Sequence, residues 1–420
     1  MDVCHRVWLL LAGLLISTCA FSSNLSEDFD RAQRHDPAFA ALLAESEIGK
    51  LQARMAASAF FPEARLSASQ LDNESTSRVT LTVSQPLLNY DRWLTLKEAE
   101  PRMAQTAIRL EQGQQELALR LLAAVTALVQ AQDKLSLNAS AMAALEQQRN
   151  SAKQSFDFGV GTITDLRDTE VRLAIAKAQS FSLRADLENA QSAYRQIVGQ
   201  ASPALGYRLS FLASAPRLES LGELTQRALQ RNTRVRAGEL TTRLAVIASN
   251  RARAALYPSV SAAAQRSQGG GTSALTSSQV AIRMDIPLQM GTWLRFETAD
   301  LELKRLQEVE RDTRQKVMLE VERLYAQVQA LGSEIAVRNE AMAAAELSFK
   351  ANERSFAGGF RTKIDVLNAL QATYQAKADY AVTVLRLAEA LISLRLAIGE
   401  PIVQVLRDAQ QAFFASARSD

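Results

Sequence analysis

The sequence predicts a mainly α-helical protein with a small β part, assembled from long coiled-coil hairpins that occur twice. Three observations carry this. Ser155 to Gly199 and Ser355 to Gly399 align without a gap, 200 residues apart. Two stretches without proline, Pro101 to Pro203 and Pro287 to Pro401, carry apolar residues at helical spacing. Upstream of each, the apolar spacing falls to two, the period of a strand.

The duplication is dense. Ser155/Ser355, Phe156/Phe356, Gly159/Gly359, Thr162/Thr362, Asp165/Asp365, Leu187/Leu387 and Arg195/Arg395 coincide, and Trp93 matches Trp293. A solenoid unit is roughly 20 to 50 residues, so this longer repeat divides the chain into two similar halves. We place them at residues 21–210 and 211–420, the second ending in a short tail.

The N-terminus carries an apolar run from Val7 to Ile16 and then Ser17-Thr18-Cys19-Ala20, the pattern of a secretory signal over residues 1–20. Cleavage after Ala20 would remove both cysteines, Cys4 and Cys19. A lipoprotein signal would instead keep Cys19 as the first residue, but Thr18 is larger than the residue usual before it.

The strands come next. Val79, Leu81 and Val83 alternate with Thr80, Thr82 and Ser84, and Val280, Ile282, Met284 and Ile286 alternate with Ala281, Arg283 and Asp285. One apolar and one polar face suit a strand between lipid and a wet lumen. Their expected partners are Ala64 to Leu71 and Ser259 to Arg266. Pro62 and Pro258 stand where these begin, and Pro86 and Pro287 where the second strands should end. Phe61, Trp93, Tyr257 and Trp293 fall near the same ends, as an interfacial aromatic girdle would.

From Trp93 to Phe156, and from Trp293 to Phe356, is 63 residues, or about 95 Å as continuous helix. Leu121, Val125, Leu128, Gln132, Leu135 and Val317, Val321, Leu324, Val328, Leu331, Ile335 step by fours and threes, a heptad seam. Pro101 should bend the first helix or delay its start. Gly-containing turns then reverse each chain into a second helix.

No segment after the leader approaches the roughly 20 apolar residues of a membrane-spanning helix. Any crossing of a bilayer must therefore be a closed β-barrel. Four strands cannot close one alone, since about eight is the smallest usual number, so the chain must oligomerise.

Composition argues against other classes. The net charge is +3 with no basic run, which names no nucleic-acid partner. His5 and His35 are the only histidines, too few for the usual Ser-His, Cys-His or zinc constellations. Gly159-Val160-Gly161 lacks the third glycine of a dinucleotide fingerprint and the lysine of a P-loop. Neither enzyme activity, metal nor cofactor is expected.

Phe156-x-x-Gly159-x-x-x-Ile163-Thr164-Asp165, Phe356-x-x-Gly359-x-Arg361-Thr362-x-Ile364-Asp365-Val366-Leu367 and Ser84-Gln85-Pro86-Leu87 before Trp93 resemble the TolC family of outer-membrane factors. The resemblance covers nearly the whole chain after the leader. It implies a homotrimer whose protomers each give four strands to one transmembrane barrel in outer-membrane lipid, with helices forming a periplasmic tunnel. It further implies a passive exit duct for drugs or secreted proteins, working with a periplasmic adaptor and an inner-membrane transporter.

The resemblance also assigns residues. Asp365 corresponds to the constriction carboxylate, and Asn368 stands where the family often has a second acid, so a weaker cation preference is expected. Thr164 and Asp165 match one side of the closed-state latch and Arg361 the other. Phe356 occupies the position of a latch tyrosine and cannot make its hydrogen bond. Gly159 and Gly359 would let an adaptor approach, or simply turn the chain. Thr162-x-x-Asp165 and Thr362-x-x-Asp365 equally read as helix caps. A periplasmic coiled-coil adaptor or scaffold without a pore is the competing reading; it leaves the four strands unexplained.

Overall fold

The computed structural model describes residues 24–70, 77–200, 207–210, 212, 216–270, 276–286 and 290–415. The expected leader at 1–20 lies outside them, as do Cys4, Cys19 and Pro287. The first half contains α1 (Leu25–His35), α2 (Pro37–Ser58), β1 (Glu63–Gln70), β2 (Ser77–Leu88), α3 (Tyr90–Asp157), α4 (Ile163–Val198) and a short β3 (Arg208–Leu209). The second contains α5 (Leu221–Arg231), α6 (Thr233–Ala254), β4 (Ser259–Gly270), β5 (Thr276–Asp285), α7 (Met290–Ala357) and α8 (Lys363–Ala397). Then follow α9 (Ile402–Phe413) and β6 (Phe414–Ala415), which pairs with β3. The order of elements is thus repeated.

Helices α3 and α7 each contain 68 residues, about 100 Å of continuous helix. Their seams are buried as the heptads require: Val317, Val321, Leu324, Val328, Leu331 and Ile335 all lie in the core, as do Leu121, Val125 and Leu128. Leu135 and Gln132 are only half-buried.

Pro101 does not delay the first long helix. The helix starts at Tyr90, where the Asn89 side chain accepts the Arg92 N–H at 3.0 Å. An internal proline costs about 3 kcal/mol, which local propensity cannot offset. Tertiary packing does so here, because Pro101 is itself buried, as are Leu94, Ala99 and Ile108 around it on the same helix.

The four main strands form one antiparallel sheet in the order β1-β2-β4-β5, so the two repeats join through β2 and β4. Register puts the alternations in phase. Ala64 faces Val83, Val83 faces Ala264 and Ala264 faces Val280; one step along, Gln85 faces Ala262 and Ala262 faces Ile282. Val79, Leu81, Val83, Val280, Ile282 and Met284 therefore share one face, while Arg65, Thr82, Gln265 and Gln279 lie across the other. The apolar face is uncovered in the protomer, with Val280 85% and Ile282 75% exposed. Strands β1 and β5 are unpaired on their outer sides within the described sheet, edges that natural proteins close or cover.

Strand β2 does not stop at Pro86. It continues to Leu88, with the register against β4 shifting between Pro86 and Leu88. A bulge of this kind tolerates the absence of the N–H donor that proline lacks.

The main core lies where both helical hairpins meet the short helices. Leu117, Leu121 and Leu128 of α3 join Val321 of α7, Leu387 of α8 and Phe413 of α9 there. Inside it, the buried Asp28 carboxylate accepts the hydroxyls of Tyr194 and Tyr207 and pairs with Arg31 at 3.2 Å. Burial first, then Asp28, pushes both tyrosine hydroxyls far above their ordinary pKa. Among the described residues no helix is long and apolar enough to cross a membrane.

Candidate functional site: the hairpin tips

Each helical hairpin ends, far from the sheet, in the same turn. Gly159 and Gly359 adopt φ +74° and +76°, the left-handed region where a side chain is strained. Their N–H groups donate to the Phe156 and Phe356 carbonyls at 2.9 and 3.0 Å, closing α3 and α7. A Cβ on either would meet nothing within 4 Å, so inside a protomer the backbone angle alone calls for glycine. The turns carry Phe158, Val160 and Phe360 outward, each more than 80% exposed.

Threonine caps the returning helices. The Thr162 hydroxyl donates to Asp165 at 2.7 Å and accepts the Asp165 N–H at 3.1 Å. At the second tip the Thr362 N–H and hydroxyl both donate to the Asp365 carboxylate, at 3.0 and 2.8 Å, and the Asp365 N–H returns to Thr362 Oγ1 at 3.3 Å. That is a full capping box with aspartate in the usual place of glutamate. The Thr362 hydrogen bonds hold the Asp365 carboxyl below the usual range, with the Arg361 charge adding less.

Within one protomer Arg361 is exposed and, among the described residues, forms no ion pair with Asp165. Thr164 is exposed as well. The cation whose titration Asp165 affects is Lys363, a buried residue at the start of α8. Its Nζ lies 4.9 Å from the centre of the Phe356 ring, so the phenyl that cannot hydrogen-bond offers a π face instead. Burial lowers the Lys363 pKa, against the opposing attraction of Asp165 and then Glu353.

Asn368 is not isolated either. Its side-chain oxygen accepts from Arg172 Nη2 at 2.8 Å, and Gln371 accepts from Arg172 Nη1 at 3.2 Å. Sequence reasoning missed both cations. Lys363 leaves a signal, since its counterpart in the repeat is the apolar Ile163. Arg172 leaves the same kind of signal, standing opposite Ala372 in the repeat, but its acceptors lie nearly 200 residues away and no local pattern names them.

At the base of the sheet the four expected aromatics are exposed: Phe61 67%, Trp93 41%, Tyr257 60% and Trp293 68%. Tyr90 stacks on Trp93 at 5.5 Å and meets Tyr257 edge-on at 5.4 Å. Lys97 sits 3.7 Å over the Trp93 ring, and Trp293 meets Phe296 at 5.7 Å.

The chain matches the family model described as outer membrane efflux protein twice, over residues 29–200 and 224–400. It is 25% identical over 407 residues to outer membrane protein TolC of Vibrio cholerae, covering 90% of this chain and 93% of that one. It is 26% identical over 413 residues to alkaline protease secretion protein AprF of Pseudomonas aeruginosa, covering 88% and 83%. Among solved structures, the CmeC outer membrane channel of Campylobacter jejuni superimposes with a TM-score of 0.78 at 13% identity, covering 94% of this chain and 91% of that one. The pore-free scaffold reading fails on the in-phase four-stranded sheet and on these matches. With its duplicated hairpins and open-edged sheet, the chain belongs to the outer membrane efflux protein family, as a TolC-family outer-membrane channel protein.

Proposed function

We propose that this outer-membrane channel works as a homotrimer, each protomer giving its four strands to one barrel, as the exit duct of a tripartite efflux or type I secretion assembly. The observation that carries this is the registered sheet. Its apolar face is uncovered and its two edges are open, and a ring of identical sheets closes both deficits at once. Lipid then covers Val280 and Ile282, and the polar face lines water. The repeats at 21–210 and 211–420 give each protomer two tips at the periplasmic end.

In that ring Asp365 supplies the constriction charge, with the neutral Asn368 one turn on. Arg361, exposed and outside any ion pair among the described residues of the protomer, forms the latch with Asp165 and Thr164 as neighbours converge. Phe356 contributes its face to Lys363 rather than a hydroxyl to the latch. The exposed turns around Gly159 and Gly359 receive the periplasmic adaptor, and the inner-membrane transporter selects the cargo. Phe61, Trp93, Tyr257 and Trp293 mark the periplasmic interface of the outer membrane.

Mass measurement of the detergent-purified protein tests the assembly directly. Three copies per particle are expected. Monodisperse single chains that resist unfolding would overturn the shared barrel.

A further inference from the structure

We propose that Arg172 is a positioning residue of the periplasmic entrance: from α4 it clamps the constriction segment of α8 and so joins the two helical hairpins of one protomer. The proposal rests on the reading of that segment as the gate.

The geometry is a fork. Arg172 Nη2 donates to Asn368 at 2.8 Å and Nη1 to Gln371 at 3.2 Å. These acceptors are three residues apart on α8, hence neighbours on one helix face. A planar guanidinium can serve both at once, whereas a lysine ammonium is a point donor.

The clamp lies beside a dry contact. Leu173, next in sequence, is buried with Leu145 of α3 and with Leu367 and Leu370 of α8. Arg172 also borders a cleft of about 800 Å³ between the hairpins, which Lys134, Gln179, Tyr374 and Asp379 help to line. The small apolar cluster and the fork therefore join the hairpins where that cleft meets the constriction segment.

The acceptors are neutral amides. A charged donor on a neutral acceptor is firmer than an ordinary hydrogen bond but avoids pairing two desolvated charges. Arg172 is only half-buried, so water can replace the amides when α4 and α8 part. A link that holds at rest and exchanges for water suits a moving entrance better than a sealed ion pair.

The test is single-channel recording of the full-length protein in planar bilayers. Arg172→Ala is expected to raise the open share roughly two- to fivefold, the range for one partly exposed link, with trimer melting unchanged. Gln371→Glu, which turns one amide into an ionic acceptor, should lower the open share in wild type and have no such effect on Arg172→Ala. Wild-type currents in Arg172→Ala, or equal Gln371→Glu effects in both backgrounds, would overturn the clamp. Asp365→Ala separates the two ideas: altered selectivity there beside wild-type currents in Arg172→Ala removes the clamp and leaves the gate. If Arg172→Ala fails to assemble, Arg172→Lys carries the same test, with a smaller rise expected.

Discussion

Thr362 and Asp365 hold each other reciprocally, the threonine N–H and hydroxyl on the carboxylate and the aspartate N–H on the threonine oxygen. One side chain thus caps α8 and carries the charge proposed for the constriction. The Thr-x-x-Asp spacing allows both roles at once, and the cap leaves the acid ionised and fixes where it points.

That pairing sets a pH dependence. A carboxyl held below its ordinary pKa contributes its cap fully above the unfolded value, and loses it as pH falls through the lowered folded value. Cation selectivity should therefore stay constant down to about pH 4, the ordinary carboxylate range, and decline only below it. Reversal potentials across a salt gradient measure this, and a decline centred near neutrality would contradict it.

Arg361→Ala should raise open-state conductance while leaving the folded tips intact, because Arg361 is exposed and makes no ion pair among the described residues of the protomer. Each exposed latch pair is worth about 0 to 1 kcal/mol, so the gain is modest, and it should shrink in an Asp165→Ala background, where the partner is already gone. Unchanged currents in planar bilayers would remove Arg361 from the latch.

Lys363 titrates with the same sign as Asp365, in a more alkaline window. Burial lowers its pKa, so the unfolded tip holds the proton more strongly, and local stability rises with pH between the lowered value and about 10.4. Cleavage of the 356–363 turn by an alkaline protease, corrected for the intrinsic rate, should become slower across that window. Lys363→Met should flatten the trend; identical slopes would place Lys363 in solvent.

The two faces of the sheet should respond unequally. Ile282→Arg puts a charge on the apolar face, where arginine costs about 2 to 4 kcal/mol at the bilayer midplane, and should cut the yield of assembled protein in membranes. Ala281→Arg, one residue away on the polar face, should assemble normally. Equal losses in both would refute the facing of the strands.

Much of this fold was legible because it rests on periodicity. The heptads from Val317 to Ile335 are buried as a seam must be, and alternation from Val79 to Val83 and from Val280 to Met284 places those residues on one face. Proline was misread at Pro86, where a bulge carries the strand on, and at Pro101 tertiary packing prevails over the delayed start that local preference offered. At the tips, the Thr-x-x-Asp spacing foretold the caps. The Arg172 fork and the approach of Lys363 to Phe356 and Asp165 depend on how two hairpins pack, which no local pattern encodes.

The most direct test of the central claim is single-channel recording of the purified protein in a planar bilayer, wild type against Asp365→Ala. The account predicts stable channels in both, with cation selectivity reduced in the variant. Pure, folded protein that forms no channels would contradict it.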